Sequence, residues 1–305
     1  MNRTEYAFLQ AEKNTLVQLI ANSPEKAVIS RKSLQTRLNK VEAQLNAQSF
    51  QELPFEGRIT FRGKPVLDST GIETAFATKI MNGFSEMITA KASSYQKPLR
   101  GSGKIANRDA HRMNITGTTA GSFGFVFEEC LTDEPHMKGV HSPFESAFMD
   151  CLELFKALQN DDKDELANAV DQTDERVLSK IRTFLNELIA NETVCAVESG
   201  LHSFRFNNTS EIQRSVKMIE ADNIREWEET LIGEFIGVLI SERKFEFKPK
   251  SEEESPRKGK ISGDIDNLEE IGRNLYRKAF QICLRVKQVG TGPLRYTLSR
   301  FDSME

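Results

Sequence analysis

The sequence predicts an α+β fold: an N-terminal helical hairpin, a small α/β sandwich layer, a helical middle and a small C-terminal β-barrel. Three patterns predict it. They are a heptad-like apolar stripe near the N-terminus, a β-hairpin pattern at residues 112–129, and a run of short β-prone segments from residue 229 onward. We therefore expect domains at residues 1–50, 51–228 and 229–305.

The composition excludes several classes of protein. The chain has 305 residues, of which 38% are hydrophobic and 28% charged, as in ordinary folded domains. It has no apolar run long enough to cross a bilayer, no apolar segment typical of a secretory signal, and four widely separated cysteines. We therefore expect a cytoplasmic protein with reduced thiols, without membrane association and without a cofactor.

The first two helices are predicted within residues 5–47, separated by a turn at Ser23-Pro24. A stripe of apolar residues on the second helix is spaced by four, three and four positions, which is typical of a coiled-coil seam. Its members are Leu34, Leu38, Val41 and Leu45. Two interpretations remain open: the stripe packs inside its own domain, or it contacts a protein partner or a second copy of the chain.

A strand is predicted over residues 57–62 and a helix over 71–92, with Asp68-Ser69-Thr70 offering side chains that cap the helix start. The hairpin 112–129 follows a loop rich in Ser, Gly and Pro. Its second half, residues 122–127 (S-F-G-F-V-F), is the most apolar segment of the chain. We expect this segment to be the central strand and the helix to cover it.

Two residues of that strand have specific expected roles. Phe125 is expected in the core, and Gly124 indicates a close approach of another backbone. The glycines at 117, 121 and 124 have the spacing G-x-x-x-G-x-x-G, but a phosphate loop is not expected, because they lack a Lys-Ser/Thr pair and are followed by a strand.

The remaining elements follow from periodicity and turn signals. Helices are predicted at 143–159, 161–170, 174–191 and 210–221, and short strands at 193–197 and 203–206. In the barrel, strands are predicted at 230–240, 244–248, 260–265, 279–289 and 295–301, with a helix at 268–276 after the third strand. This order is typical of an OB-like barrel, and an SH3-like barrel is the alternative.

Clusters of basic residues provide two partial signals for nucleic-acid binding. One cluster lies in the loop 91–112, and small barrels of this kind often bind single strands through basic grooves and aromatic side chains. The candidate binding residues are Lys97, Arg100, Lys104, Arg108 and Arg112 in the loop, and Arg243, Lys244 and Lys248 in the barrel.

No residue is assigned a catalytic or metal-binding role. His136 and His141 share a loop with two acids, but their spacing matches no common zinc site. Glu246 and Lys248, with Asp264 and Asp266 downstream, contain the residue types of a metal-dependent nuclease. Alternation along an exposed strand explains Glu246 and Lys248 equally well.

Two segments resemble uncharacterised bacterial proteins associated with phage-defence and mobile-element neighbourhoods. They are I-T-G-T-T-A-G-S-F-G-F-V-F-E-E (115–129), and G-E-F-I-G-V-L-I-S-E-R-K-F-E-F-K (233–248) together with G-K-I-S-G-D-I-D (259–266). The resemblance implies an intracellular component of a multi-protein bacterial system.

Three function hypotheses follow. The favoured one is a non-enzymatic bacterial cytoplasmic protein that binds a macromolecular partner, as an accessory or sensor component of phage defence. The second is a single-stranded DNA- or RNA-binding protein that uses the barrel and the loop 91–112. The third is a metal-dependent nuclease with an unrecognised site.

Overall fold

The computed structural model describes residues 3–24, 26–47, 53–96, 99, 103–105, 107–119, 122–130, 141–160, 162–251, 255–265, 268 and 279–303. The fold mixes helices and sheets, which confirms the α+β class. Contacts divide the chain into two compact units. Unit 1 comprises Met1–Glu153 and Asp174–Gln213, and unit 2 comprises Leu154–Thr173 and Arg214–Glu305. The predicted division at residues 50 and 228 stays a prediction.

Unit 1 begins with an antiparallel pair of helices, α1 (Arg3–Asn22) and α2 (Val28–Ala47). Ion pairs join them: Arg37 Nε lies 2.7 Å from Glu12 Oε1, and Lys13 Nζ lies 3.1 Å from Glu42 Oε1. Between the helices lies a small apolar core made of Leu16, Leu38, Val41 and Leu45, with Leu34 packed against it. Three members of the stripe proposed as a partner interface, Leu38, Val41 and Leu45, are therefore buried inside the hairpin, and Leu34 is partly buried against them, because α1 supplies the matching apolar face. Contact of this stripe with a partner stays a prediction.

A five-stranded sheet forms the centre of unit 1, in the order β4-β5-β1-β6-β7. Its strands are β1 (Glu56–Gly63), β4 (Met113–Thr118), β5 (Gly124–Glu129), β6 (Thr193–Ser199) and β7 (His202–Arg205). The central strand is β1, which pairs antiparallel with β5 on one side and β6 on the other. The segment predicted as central is therefore the neighbouring strand. The error arose because β6, which covers the other edge of β1, is distant in sequence.

The backbones of β1 and β5 approach closely at Gly124, as expected. A Cβ at this position would lie 2.1 Å from the carbonyl oxygen of Ile59, so only glycine fits. The core position of β5 is Phe127, which is fully buried, whereas Phe125 is half-buried. The Phe127 ring centroid lies 5.3 Å from that of Phe84, in the helix that covers the sheet.

That helix, α3 (Thr74–Ser94), starts later than predicted. Residues 66–67 and 71–72 pair as a two-residue hairpin, β2 (Val66–Leu67) and β3 (Gly71–Ile72). Asp68 adopts a left-handed backbone, and Thr70 donates through its amide and its hydroxyl to the carbonyl of Leu67. The polar residues proposed as caps therefore form a turn, which is the other structure that such side chains favour.

The middle helices follow the predicted pattern. They are α4 (Pro143–Gln159), α5 (Lys163–Asp171), α6 (Glu175–Ala190) and α7 (Thr209–Met218). Ser142 caps α4, since its hydroxyl accepts from the amide of Glu145 at 3.0 Å, and Asp162 caps α5 by accepting from two amides. Within unit 1, α6 packs against α3, and the Phe84 and Phe184 ring centroids lie 5.9 Å apart.

In unit 2, five strands form a closed barrel with the ring order β10-β12-β11-β8-β9. The strands are β8 (Ile224–Leu239), β9 (Lys244–Pro249), β10 (Arg257–Ile261), β11 (Phe280–Val289) and β12 (Arg295–Ser303). Phe235, Phe247 and Phe280 meet in its core. The ring centroid of Phe235 lies 5.1 Å from that of Phe247 and 5.1 Å from that of Phe280.

Two barrel strands differ from the prediction. The first strand begins earlier, at Ile224, because its initial residues pair with the end of β11. The third strand lies at Arg257–Ile261 and not at 260–265, because its register is set by β9 and β12. The predicted helix 268–276 lies outside the described residues except for Leu268. Among the described residues, no helix is long and apolar enough to cross a membrane.

Candidate functional site

The candidate residues of the loop 91–112 are divided by the structure. Lys97 and Arg100 lie outside the described residues. Lys104 and Arg108 line a cavity of about 870 Å³ in unit 1, which we call the basic cavity. Arg112 is not among its lining residues, and its Nε donates to the carbonyl oxygen of Asp109 at 3.1 Å. Two of the predicted residues therefore share a site.

The basic cavity is framed by α3, by the start of α6, and by the segment that ends in a 3₁₀ turn at Arg108–His111. Its charged residues are Lys104, Arg108, Arg176, Lys180, Glu86 and Asp109. Glu86 lies between two of the cations: its Oε2 is 2.5 Å from Lys180 Nζ and its Oε1 is 3.4 Å from Arg108 Nη2. The hydrogen bond from Lys180 lowers the pKa of Glu86, so this carboxylate is ionised at neutral pH.

The barrel candidates separate into three environments. The guanidinium of Arg243 donates to the backbone carbonyls of Ile261, Ser262 and Ile265, and its Nη2 lies 2.7 Å from the Ile265 oxygen. Arg243 therefore holds the barrel backbone and is committed to structure. Lys244 lines a concavity on the barrel, whereas Lys248 is exposed on the same strand but outside that concavity.

This concavity, which we call the barrel groove, has a volume of about 610 Å³ and lies within unit 2. It is formed by α5, the end of β8, the starts of β9 and β12, and the middle of β10. Its basic residues are Lys244, Lys258, Lys260 and Arg295, and its acidic residues are Asp171 and Glu246. The groove therefore carries a net positive charge at neutral pH.

Three of the groove cations are paired with acids. Lys258 Nζ lies 3.0 Å from Glu246 Oε1, and Lys260 Nζ lies 2.9 Å from Asp171 Oδ2. Arg295 Nη2 lies 2.7 Å from the Oδ1 of Asp164, also on α5. The Lys258–Glu246 pair is exposed and contributes only about 0–1 kcal/mol, so an incoming phosphate can take the place of that carboxylate.

Apolar and aromatic surface completes the groove. Leu239 is 55% exposed, and Tyr296 is half-buried with the Arg257 guanidinium 5.4 Å from its ring centroid. Gly259 runs directly against β12, since a Cβ there would lie 2.1 Å from the carbonyl oxygen of Tyr296. The groove therefore presents cations, an aromatic ring and an apolar edge together.

Sequence reasoning missed Lys258, Lys260 and Asp171 as groove residues. The predicted third strand begins at residue 260, so Lys258 lies outside it, whereas the observed strand begins at Arg257. Asp171 lies at the end of α5, far before the barrel strands in the sequence. Only the folded chain brings it to Lys260. No alternation of apolar and polar residues marks Arg257–Ile261 in the sequence, so its pairing with β9 and β12 alone identifies the strand.

Among the described residues, the side chains proposed for a nuclease site do not form a cluster. Glu246 is paired with Lys258, and the carboxylate of Asp264 accepts from the Ser262 hydroxyl, while Asp266 lies outside the described residues. Among the described residues, no group of three or more His, Cys, Asp or Glu side chains could hold a metal ion. His136 lies outside them, and His141 Nδ1 lies 2.9 Å from Glu145 Oε1.

Two cysteines are fully enclosed. Burial raises the pKa of Cys151 and of Cys195 to about 12, so both are protonated at neutral pH.

Comparison with protein-family models, with curated proteins and with solved structures found no match.

Proposed function

We propose that this chain is a non-enzymatic single-stranded nucleic-acid-binding protein, and that the barrel groove is its binding face. The observation that carries the proposal is the position of the groove cations on the strands and loop ends of a closed barrel. A cytoplasmic location accords with this role. The phage-defence association and the partner contact of the stripe from Leu34 to Leu45 stay predictions, and three of the four stripe residues pack inside the hairpin.

The strand order supports an OB type for the barrel. Numbered within the barrel, the strands follow the ring order one, two, three, five, four, and the third and fifth strands are parallel. OB barrels have this order, which favours them over the SH3-like alternative. Their oligonucleotide-binding face comprises the second and third strands and the loops after the first and fourth strands.

The groove lies on the corresponding part of this barrel. Lys244 follows directly on the loop 240–243, and Arg295 follows directly on the loop 290–294. Lys258 and Lys260 project from β10, the third strand. Cations along a strand and at two loop ends can follow a sugar–phosphate backbone, while Tyr296 and Leu239 offer surface to the bases.

Fluorescence anisotropy with a labelled oligothymidine tests the proposal. We expect binding of a strand of about 20 nucleotides at about 50 mM salt, and a weaker signal with duplex of the same length. If about three or four phosphates are neutralised, the logarithm of the affinity should fall with the logarithm of salt concentration with a slope of about −2 to −3. No anisotropy change at low salt with folded protein would refute the proposal.

A pair of lysines on one strand provides the matched variants. Lys244→Ala and Lys258→Ala each remove a groove cation. The double variant should bind about tenfold more weakly at low salt. Lys248→Ala removes an exposed cation of β9 outside the groove and should leave the affinity within about twofold. Equal effects of the groove pair and of Lys248→Ala would show that binding is spread over the surface and not located in the groove.

A further inference from the structure

We propose that the basic cavity of unit 1 binds a small phosphate monoester that carries hydroxyl groups, the chemistry shared by nucleoside monophosphates and sugar phosphates. This site is separate from the barrel groove and takes a different class of ligand. Its volume of about 870 Å³ lies within the range typical of small-molecule sites, roughly 300–1,000 Å³.

The charge of the cavity indicates an anion. Four basic side chains line it against two acidic ones. Among the described residues, no ion pair or hydrogen bond involves the ammonium group of exposed Lys104. A concave surface of one dominant sign concentrates ions of the opposite sign, and a phosphate dianion would balance the excess of two positive charges.

Glu86 arranges two of the cations for this task. Its carboxylate holds Lys180 through Oε2 and Arg108 through Oε1, so both cations stand on one wall. The Arg108 contact is long, at 3.4 Å, and a guanidinium has five N–H donors. Arg108 can therefore keep Glu86 and still offer a pair of donors to phosphate oxygens, a geometry that suits guanidinium.

Bonds between elements form the cavity before any ligand arrives. Arg176, in the first turn of α6, donates to the carbonyl oxygen of Gly103 and so ties the lining segment to the helix. The amide of Leu99 donates to Asp174 Oδ2 at 3.0 Å, which fixes Leu99 to the residue that precedes α6. A site whose walls are already joined loses less entropy when a ligand binds.

The acids of the cavity favour a small ester over a nucleic-acid strand. Glu86 and Asp109 stand among the cations and would repel successive phosphates of a strand. The same carboxylates accept hydrogen bonds from the hydroxyl groups of a ribose or a sugar. A single phosphate flanked by hydroxyl groups therefore matches the mixture of charges better than a polyanion does.

Isothermal titration calorimetry of the full chain tests this inference. Adenosine 5′-monophosphate, glucose 6-phosphate, inorganic phosphate and adenosine are titrated separately. We expect at least one ester to bind with a dissociation constant of about 10 μM to 1 mM, and adenosine to give no heat. The better ester distinguishes a nucleotide from a sugar phosphate as the source of the phosphate group.

Variants separate the cavity from the rest of the surface. Lys104→Glu should weaken ester binding at least about tenfold, and Arg108→Ala should do the same, while Lys79→Ala is the control. Lys79 is an exposed lysine of α3 that does not line the cavity, and its side chain is 70% exposed. Because Lys104 is exposed and has no ion-pair or hydrogen-bond partner in the part of the chain that the structure describes, its replacement does not threaten folding, which a thermal melt verifies.

Three outcomes would overturn the inference: no heat with any ester at millimolar concentration, an unchanged affinity in Lys104→Glu, or loss of oligothymidine binding in that variant. The last outcome would assign the cavity to the nucleic-acid face instead. Oligothymidine binding that persists in Lys104→Glu, together with weakened ester binding, supports two separate sites.

Discussion

Lys91 is a charged residue in an interior position. It is 3% exposed, its Nζ lies 2.9 Å from Asp150 Oδ2, and the ammonium stands 5.3 Å from the Tyr95 ring centroid. The Tyr95 hydroxyl donates to the same carboxylate at 2.8 Å, and burial together with Asp150 raises the pKa of Tyr95. Asp150 is therefore the shared partner of a buried cation and a half-buried phenol.

This arrangement predicts an asymmetry between two substitutions. Asp150→Asn should lower the free energy of unfolding by about 3 kcal/mol, because it removes a negative charge that lies 2.9 Å from a buried ammonium. Lys91→Met should cost less than about 1 kcal/mol, because an apolar chain of similar volume fills the site. Urea denaturation at neutral pH measures both, and equal costs would contradict the argument.

The buried side chain of His111 predicts that the stability of the folded chain depends on pH. It is 4% exposed, its Nε2 has no hydrogen-bond partner among the described residues, and burial lowers its pKa below the ordinary value of 6.5. Between the folded pKa and about 6.5, the unfolded chain therefore binds a proton at His111 that the folded chain does not bind. As the pH falls through about 6.5 toward the folded pKa, stability should decline by at most about 1.4 kcal/mol per pH unit.

The matched variant is His111→Gln, which keeps a polar side chain but does not titrate. The difference in unfolding free energy between wild type and variant should be constant above about pH 7.5 and should change in favour of the variant as the solution becomes more acidic. Denaturation curves at several pH values measure it. Parallel pH profiles for the two proteins would show that His111 is readily protonated in the folded state.

At the scale of elements, periodicity identified the helices well and strand registers less well. The helix α6 follows from its own sequence, since its apolar residues recur at helical spacing and all face one side. The hairpin of β2 and β3 and the exact position of β10 depend on partner strands that local patterns do not reveal. Lys244 lies on a strand that its own sequence predicts, so it was identified as a candidate binding residue. Lys260 and Asp171 were not identified, because their places in the groove depend on contacts between elements that are distant in sequence.

Strand β5 predicts a contrast between two phenylalanines. Phe127 is fully buried between the Phe84 and Phe148 rings, whose centroids lie 5.3 and 5.8 Å away, whereas Phe125 is half-buried. Phe127→Ala should therefore destabilise unit 1 by about 3–5 kcal/mol, and Phe125→Ala by less than half of that. Thermal melts of the two variants measure this, and a larger effect at Phe125 would place the core at the sequence-predicted position.

At the scale of the whole molecule, the chain leaves the barrel unit and returns to it. Unit 2 takes α5 from the middle of the sequence, so the barrel is not made of C-terminal residues alone. Residues Leu166, Ala167 and Val170 of this helix are buried, and the helix packs on β11 and β12. Ion pairs from Asp171 to Lys260 and from Asp164 to Arg295 join α5 to β10 and to β12.

This path predicts that a fragment of residues 229–305, cut at the sequence-predicted boundary, does not fold on its own. It would lack α5 and the first residues of β8, Ile224–Glu228, which pair with Val289–Arg285 of β11. The exposed edge of β11 and the uncovered apolar face of the barrel should make the fragment unstable or aggregation-prone. Circular dichroism and proton NMR of the fragment, beside the full chain, measure this. A cooperative melt with dispersed amide signals would show instead that the five strands suffice and that α5 serves the groove alone.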